Sequence, residues 1–168
     1  MAGVQRIGLQ PMRRTAALVD VPASTGMEHW PLTIDIDEEF YFKPDAGRLL
    51  LSPGDETPSE PCDAVPEELD LAIAVDRIER ATTLDIRRMH SRWAGLRSFV
   101  ADRTPVAGFA QDAPGFFWLA GQGGYGVQTA PALSRYAAAL LRGKPVPSDM
   151  LDLGLDPAKL SPARLPAA

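Results

Sequence analysis

The stretch Phe116-Phe-Trp-Leu-Ala-Gly-Gln-Gly-Gly-Tyr-Gly-Val-Gln128 sets the tightest limit on what this chain can fold into. A short apolar run enters a glycine cluster and leaves it into a helical pattern, so the backbone must turn sharply between a strand and a helix. With no Cβ at Gly121, Gly123, Gly124 and Gly126, bare amides and a helix N-terminus face one spot. Such a corner suits the electron-rich edge of a planar or anionic ligand. Gln122 and Gln128 flank the glycines and either hydrogen-bond that ligand or cap the turn. The same letters satisfy Gly-x-Gly-x-x-Gly at Gly121, Gly123 and Gly126. A dinucleotide-binding unit, however, needs a second strand about 20 to 30 residues further on, ending in an acidic ribose ligand. After Arg142 the chain runs Gly-Lys-Pro-Val-Pro-Ser-Asp, a proline-broken tail. The corner therefore closes a site that earlier segments must begin.

Those earlier segments read as strands. Arg14 to Asp20 and Leu32 to Ile36 are apolar or alternating, and Phe40-Tyr-Phe-Lys43 and Arg48-Leu-Leu-Leu51 flank the connection Pro-Asp-Ala-Gly47 as a hairpin. A proline- and acid-bearing surface loop, Ser52 to Val65, precedes a helix that opens at Pro66-Glu67-Glu68 and runs to about Ala81. Leu84 to Arg88, Trp93 to Phe99, Val106 to Phe109 and Phe116 to Ala120 are further strand candidates. The final helix places Leu133, Ala137, Leu140 and Leu141 on one face and stops at Arg142-Gly143 before Pro145. From Leu151 onward the tail is expected to contribute little to a core.

Composition removes several function classes. At 168 residues and 45% hydrophobic content the chain can bury one domain-sized core. A net charge of −5, with no basic cluster beyond the doublets Arg13-Arg14 and Arg87-Arg88, argues against nucleic acid as partner. A single cysteine, Cys62, rules out an internal disulfide framework, and His29 and His90 lack ligand spacing, so no metal site is expected. No apolar stretch reaches membrane-spanning length, and the segment starting at Met1 lacks the apolar centre of a leader, so a soluble, cytoplasmic protein is expected.

Alternation in the strands sharpens the case for a site. Trp93, Gly95, Arg97 and Phe99 share one face, so a flat ring can lie against the sheet at Gly95 while Arg97 offers a planar fork to a carboxylate. The competing reading makes Gly95 a bulge and Arg97 an ordinary salt-bridge partner. In the hairpin, Tyr41 and Lys43 lie opposite Phe40 and Phe42, which leaves the Tyr41 hydroxyl available or merely packed. Trp118 reads as core.

Taken together, Arg13-Arg14-Thr15, Phe40-Tyr-Phe-Lys-Pro-Asp-Ala-Gly-Arg48, Trp93-Ala-Gly-Leu-Arg-Ser-Phe99 and Phe116 through Leu133 resemble the C-terminal half of the FAD-dependent D-amino-acid oxidase family. The likeness leans toward members that act on D-arginine. It implies an α+β fold: a mixed, largely antiparallel substrate-domain sheet, plus the C-terminal strand and helix of an FAD-binding domain whose N-terminal part is missing. On that reading residues 1–92 are the substrate-binding sheet portion, 93–145 the flavin-contacting strands and helix, and 146–168 a tail. A separate N-terminal FAD-binding half is an implied partner.

The resemblance further implies oxidation of an amino-acid CH–NH2 group by hydride transfer to the flavin, without a protein nucleophile. Arg97 then matches the arginine that holds the substrate carboxylate, Tyr41 a tyrosine that assists it, Arg14 a second arginine lining the pocket, and Gly124 a glycine whose carbonyl accepts from the amine. Gly95, Gly121, Gln122, Gly123, Gly124, Tyr125, Gly126, Val127 and Gln128 match the flavin-contacting positions. The Arg97 guanidinium and the glycine bend are expected on opposite borders of one slot wide enough for a tricyclic ring. The alternative is a non-catalytic α+β binding module derived from the same family.

Overall fold

A computed structural model of the chain describes residues 3–166. Met1, where the reading of the leader begins, lies outside the described residues, as do Ala2, Ala167 and Ala168. The chain divides into two compact units, residues 12–96 and residues 1–11 with 97–168, and the two boundaries fall inside two long strands.

The unit of residues 12–96 is built on a six-stranded sheet. Its strands are β1 (Gln10–Asp20), β2 (Thr33–Ile34), β3 (Tyr41–Asp45), β4 (Arg48–Ser52), β5 (Thr57–Pro58) and β6 (Arg88–Phe99). The order is β2-β3-β4-β1-β5, with β6 also paired to β1, and every pairing with a defined register is antiparallel. The β3–β4 hairpin is tighter than the sequence suggests, because Pro44 and Asp45 continue the strand and Asp45 pairs with Arg48. Only Ala46 (φ 49°) and Gly47 (φ 76°) remain to turn the chain, both in the left-handed region that a two-residue hairpin loop requires. Ala17, Val19, Phe42, Leu49 and Leu51 bury one side of this sheet. Helix α1 (Glu68–Ala81) covers it with Leu71, Ala74 and Ile78, spaced i, i+3, i+7.

Two strand expectations shrink in this unit. Leu32 to Ile36 pairs only at Thr33 and Ile34. Leu84 to Arg88 is not a strand, because its amides bond to side chains instead of a ladder: Leu84 N–H donates to Thr82 Oγ1 (3.2 Å) and Ile86 N–H to Glu79 Oε1 (2.8 Å). Pairing begins at Arg88, which makes β6 longer than Trp93 to Phe99.

The other unit carries the hairpin β7 (Val106–Phe109) and β8 (Phe117–Ala120), helix α2 (Gly126–Leu141), the short helix α3 (Ser148–Asp152) and two 3-10 turns, Pro157–Lys159 and Pro162–Arg164. The tail is a structural surprise. Met150 is buried against Ala107, Leu133 and Tyr136, with Leu155 and Leu160 packed on them, while Leu165 packs with Trp118 on Ile7, Val100 and Val106. Trp118 itself is half-buried. The tail folds because Asp156 and Ser161 accept hydrogen bonds from Ala158 N–H (3.0 Å) and Ala163 N–H (3.2 Å), each before a proline that starts a 3-10 turn. Arg164 then locks it, donating to both carboxylate oxygens of Asp102 at 2.7 and 3.1 Å. Leu141, expected on the buried face of α2, is 55% exposed. No helix among the described residues is long and apolar enough to cross a membrane.

Two measurements check this packing. Leu49→Ala should lower the urea-unfolding free energy by about 2–5 kcal/mol, and Leu141→Ala by less than about 0.5 kcal/mol. The Arg164 hydrogen bonds hold the Asp102 carboxyl below its ordinary range. Its stabilisation is therefore complete above the unfolded carboxyl's pKa and is lost as pH falls through the folded one. Asp102→Asn should cost under about 1 kcal/mol at neutral pH, since the pair is partly exposed, and the difference should vanish in acid unfolding scans.

Candidate functional site

The glycine corner is fastened to the end of β6. Gly123 N–H donates to the Ser98 carbonyl at 3.0 Å, and Tyr125 N–H donates to the Gln122 carbonyl at 3.0 Å, closing a turn over Gln122 to Tyr125. Gly123 has φ +53°, and a Cβ there would stand 2.6 Å from Phe99 Cδ1 and 2.8 Å from Cζ. Only glycine fits. Gly121 also has a positive φ, +72°, with Val100 in ordinary contact beneath it. Gly126 starts α2, and its Cβ position lies 3.3 Å from Gln122 Cβ.

Arg97 lies against this corner. Its Nη1 is 2.9 Å, and its Cζ 3.7 Å, from where a Cβ on Gly124 would stand. The alternation read from the sequence thus carries through, with Arg97 meeting Gly124 and Phe99 meeting Gly123. One expectation needs correction: guanidinium and bend are in direct contact, not on opposite borders of a slot. A planar ligand would lie over the pair rather than between them.

Arg97 differs from the other half-buried arginines in its partners. Six described arginines are half-buried: Arg13, Arg14, Arg48, Arg77, Arg97 and Arg164. Five are paired, with Glu67 and Asp70, Glu56, Asp20, Glu39 and Asp102 respectively. Arg97 makes no hydrogen bond or ion pair among the described residues. A half-buried guanidinium with its fork unfilled is a ready receptor for a carboxylate.

The remaining predicted residues fall as follows. Gly95 is exposed, with nothing within 4 Å of its Cβ position, and its neighbour Trp93 is 42% exposed. Gly124, Tyr125, Val127 and Gln128 are exposed, Val127 at 95%. In the unit of residues 12–96, Phe40 and Phe42 are buried while Tyr41 is half-buried, and the Tyr41 hydroxyl has no partner among the described residues. Arg14 is more committed than expected. Its Nε donates to the Asp55 carbonyl at 2.6 Å and its Nη2 to Glu56 Oε1 at 2.9 Å, which occupies two of its five N–H donors. Asp55 in turn accepts from Thr15 N–H (2.7 Å) and Oγ1 (2.9 Å). Sequence reasoning missed this Asp55–Glu56 clasp, because both residues sit in what reads as a surface loop. Among the described residues no group of His, Cys, Asp and Glu could hold a metal ion.

Comparison with known proteins now gives the class. The α+β architecture is that of amino-acid-oxidising flavoenzymes: glycine oxidase from Geobacillus kaustophilus superposes with a TM-score of 0.74 at 19% identity, over 97% of this chain and 41% of that one. L-amino acid deaminase from Proteus vulgaris gives 0.72 at 13% identity (95% and 47%), and L-proline dehydrogenase from P. horikoshii 0.69 at 22% (95% and 41%). The chain therefore spans less than half the length of these three structures. The description of the DAO family, FAD dependent oxidoreductase, matches residues 1–140, and the chain belongs to that family.

The corner fits the family's cofactor. The N-cap of α2, Tyr125, offers no side-chain hydrogen bond to the first-turn amides, so these face outward uncapped beside side-chain-free Gly123 and Gly124. An acceptor at the edge of a flat ring would meet them, assisted by the helix dipole.

Two substitutions separate fold from site here. Gly123→Ala should destabilise the chain by about 1–3 kcal/mol in thermal or urea unfolding, because both φ and the Phe99 ring oppose it. Gly124→Ala meets only the flexible end of Arg97 and should leave the unfolding midpoint nearly unchanged.

Proposed function

We propose that this chain is the substrate-binding and flavin-capping part of an FAD-dependent amino-acid dehydrogenase or oxidase, acting on D-amino acids of the D-arginine type. The observation that carries the reading is Arg97: a half-buried arginine without a partner among the described residues, lying on the glycine corner that precedes the uncapped start of α2. Bound FAD would supply the two-electron oxidant: the substrate would lose a hydride from its α-carbon and a proton from its amine to give an imino acid, which water hydrolyses to the 2-oxo acid and ammonia. Arg97 holds the substrate carboxylate through two parallel N–H···O bonds and so fixes which hydrogen faces the ring. The Gly124 carbonyl accepts from the substrate amine. The backbone from Gly121 to Gln128 would hold the flavin, and the first-turn amides of α2 would stabilise negative charge developing on it; the resemblance adds Gly95 to the flavin-binding candidates. The resemblance adds as further substrate-binding candidates Tyr41, whose hydroxyl has no partner among the described residues, and Arg14, which is paired with Glu56.

The D-configuration and the cationic side chain rest on the sequence resemblance. The structural relatives bear names for glycine, L-amino acids and L-proline. The same resemblance supports a division into residues 1–92 for substrate, 93–145 for flavin and 146–168 as a tail, and a nucleotide-binding half as the partner that completes the cofactor site; a cytoplasmic location rests instead on the lone cysteine.

Co-expression with the nucleotide-binding half of a family member tests this. The mixture should retain flavin absorbance through gel filtration and oxidise D-arginine, whereas the chain alone should retain none. In that assembly Arg97→Met should lower kcat/KM by roughly 30- to 150-fold, about 2–3 kcal/mol, with flavin content unchanged. Failure to take up flavin, or unchanged kinetics in the variant, would sink the assignment.

A further inference from the structure

We propose that Asp55 is the positioning residue for Arg14: it holds the guanidinium by one edge and leaves the other edge open to an oxygen acceptor of the substrate. The inference deepens the proposed function and rests on its reading of Arg14 as a substrate-binding residue. A guanidinium has two edges on which parallel N–H groups can meet a pair of acceptors, one formed by Nε with Nη2 and one by Nη1 with Nη2. In Arg14 the first is taken: Nε donates to the Asp55 carbonyl at 2.6 Å and Nη2 to Glu56 Oε1 at 2.9 Å. At the second, Nη1 has no partner among the described residues. The side chain is only 14% exposed, yet Nη1 is not sealed off, because the one described side-chain nitrogen or oxygen buried without a partner is Arg13 Nε. The neighbouring Arg13 is the opposite case, since its Nη1 and Nη2 meet Glu67 and Asp70 and its outer edge is closed.

What fixes the Asp55 carbonyl is the side chain of the same residue. Both carboxylate oxygens accept from Thr15, Oδ1 from its N–H at 2.7 Å and Oδ2 from its Oγ1 at 2.9 Å, and Thr15 is fully buried. Ser52, also fully buried, turns the chain toward this contact: its Oγ donates to the Thr15 carbonyl at 2.6 Å and accepts from Gly54 N–H at 3.2 Å. Asp55 cannot rotate its peptide without breaking bonds to buried groups, so the acceptors for Arg14 are held in place before any ligand arrives. Sheet register gives the direction. Phe42, Leu51 and Ala17 stand in one row on the face that α1 covers, so Tyr41 and Arg14 lie on the opposite face. The two residues of this unit that the resemblance assigns to substrate thus share a face, and Asp55 sets how one of them is presented there.

Exchange of the Arg14 Nε–H with water, read by NMR on the 168-residue chain and assigned by its loss in Arg14→Lys, tests the grip without any flavin. Asp55→Ala should speed that exchange about 10-fold. Asp55→Asn, whose amide can still accept from Thr15 N–H and donate to Oγ1, should restore slow exchange. Where Asp55→Ala fails to fold, Thr15→Val, which drops only the hydroxyl bond, should still speed exchange about 3-fold. In the assembly with a nucleotide-binding half, Asp55→Ala should raise KM for D-arginine about 10-fold, with kcat changed less than about 2-fold, and should add nothing to the effect of Arg14→Met. Unchanged Arg14 exchange in whichever of these variants folds, or no recovery in Asp55→Asn, overturns the proposal. Additive effects of Asp55→Ala and Arg14→Met on KM overturn it in favour of a clasp that only fastens the loop. An assembly that takes up no flavin sinks the flavoenzyme reading instead, and the exchange rates still decide whether Asp55 positions Arg14.

Discussion

Gly123 can pass beneath β6 only because it has no side chain. Its amide takes the Ser98 carbonyl at 3.0 Å, and the Phe99 ring fills the space a Cβ would need. That close approach decides what comes next along the chain. Gly124 is delivered onto the guanidinium of Arg97, and the chain leaves the turn as α2 with its first amides uncapped. A cation and a set of backbone donors thus come to the same corner by backbone geometry, with no side-chain network needed to hold the donors. Preorganisation of this kind costs no rearrangement when an anionic or electron-rich ligand arrives.

The distribution of arginines supports the same conclusion from energetics. Burying half of a guanidinium is tolerable when a carboxylate meets it, and the protein follows that rule at Arg13, Arg14, Arg48, Arg77 and Arg164. Arg13 still leaves its Nε buried without a partner, although Asp70 and Glu67 satisfy other donors of the same fork. Arg97 differs in kind, since its whole fork is unpaired among the described residues. A protein that supplies a carboxylate so consistently elsewhere has omitted one where a substrate's own carboxylate is proposed to bind.

Much of this was legible in the sequence, and the failures have physical causes. Period-two alternation correctly put Arg97 and Phe99 on one face, and the Ala46-Gly47 pair marked the hairpin, though Pro44 and Asp45 stayed in the strand. Alternation says nothing about distance. The slot between Arg97 and the bend came instead with the family resemblance, and the structure has contact there. Leu84 to Arg88 carries strand-like residues, but Thr82 and Glu79 capture its amides, a competition that propensity cannot register. The tail was undervalued because its apolar residues are scattered among prolines. Met150, Leu155, Leu160 and Leu165 have no helical or strand period, and only the two side-chain-capped 3-10 turns bring them back onto the core.

The Gly-x-Gly-x-x-Gly letters show how one pattern can encode a different device. In a dinucleotide fold the glycines let the backbone approach a pyrophosphate and let the following helix pack on its strand. Here Gly121 supplies a left-handed φ, Gly123 makes room for Phe99, and Gly126 leaves space for Gln122, whose Cβ lies 3.3 Å from where a Cβ on Gly126 would stand. Each glycine serves contacts within the chain. The residue left outside the pattern, Gly124, is the exposed one against which Arg97 rests. The position proposed to face the ligand is therefore the glycine the motif skips, and the three it counts serve to hold that position in place.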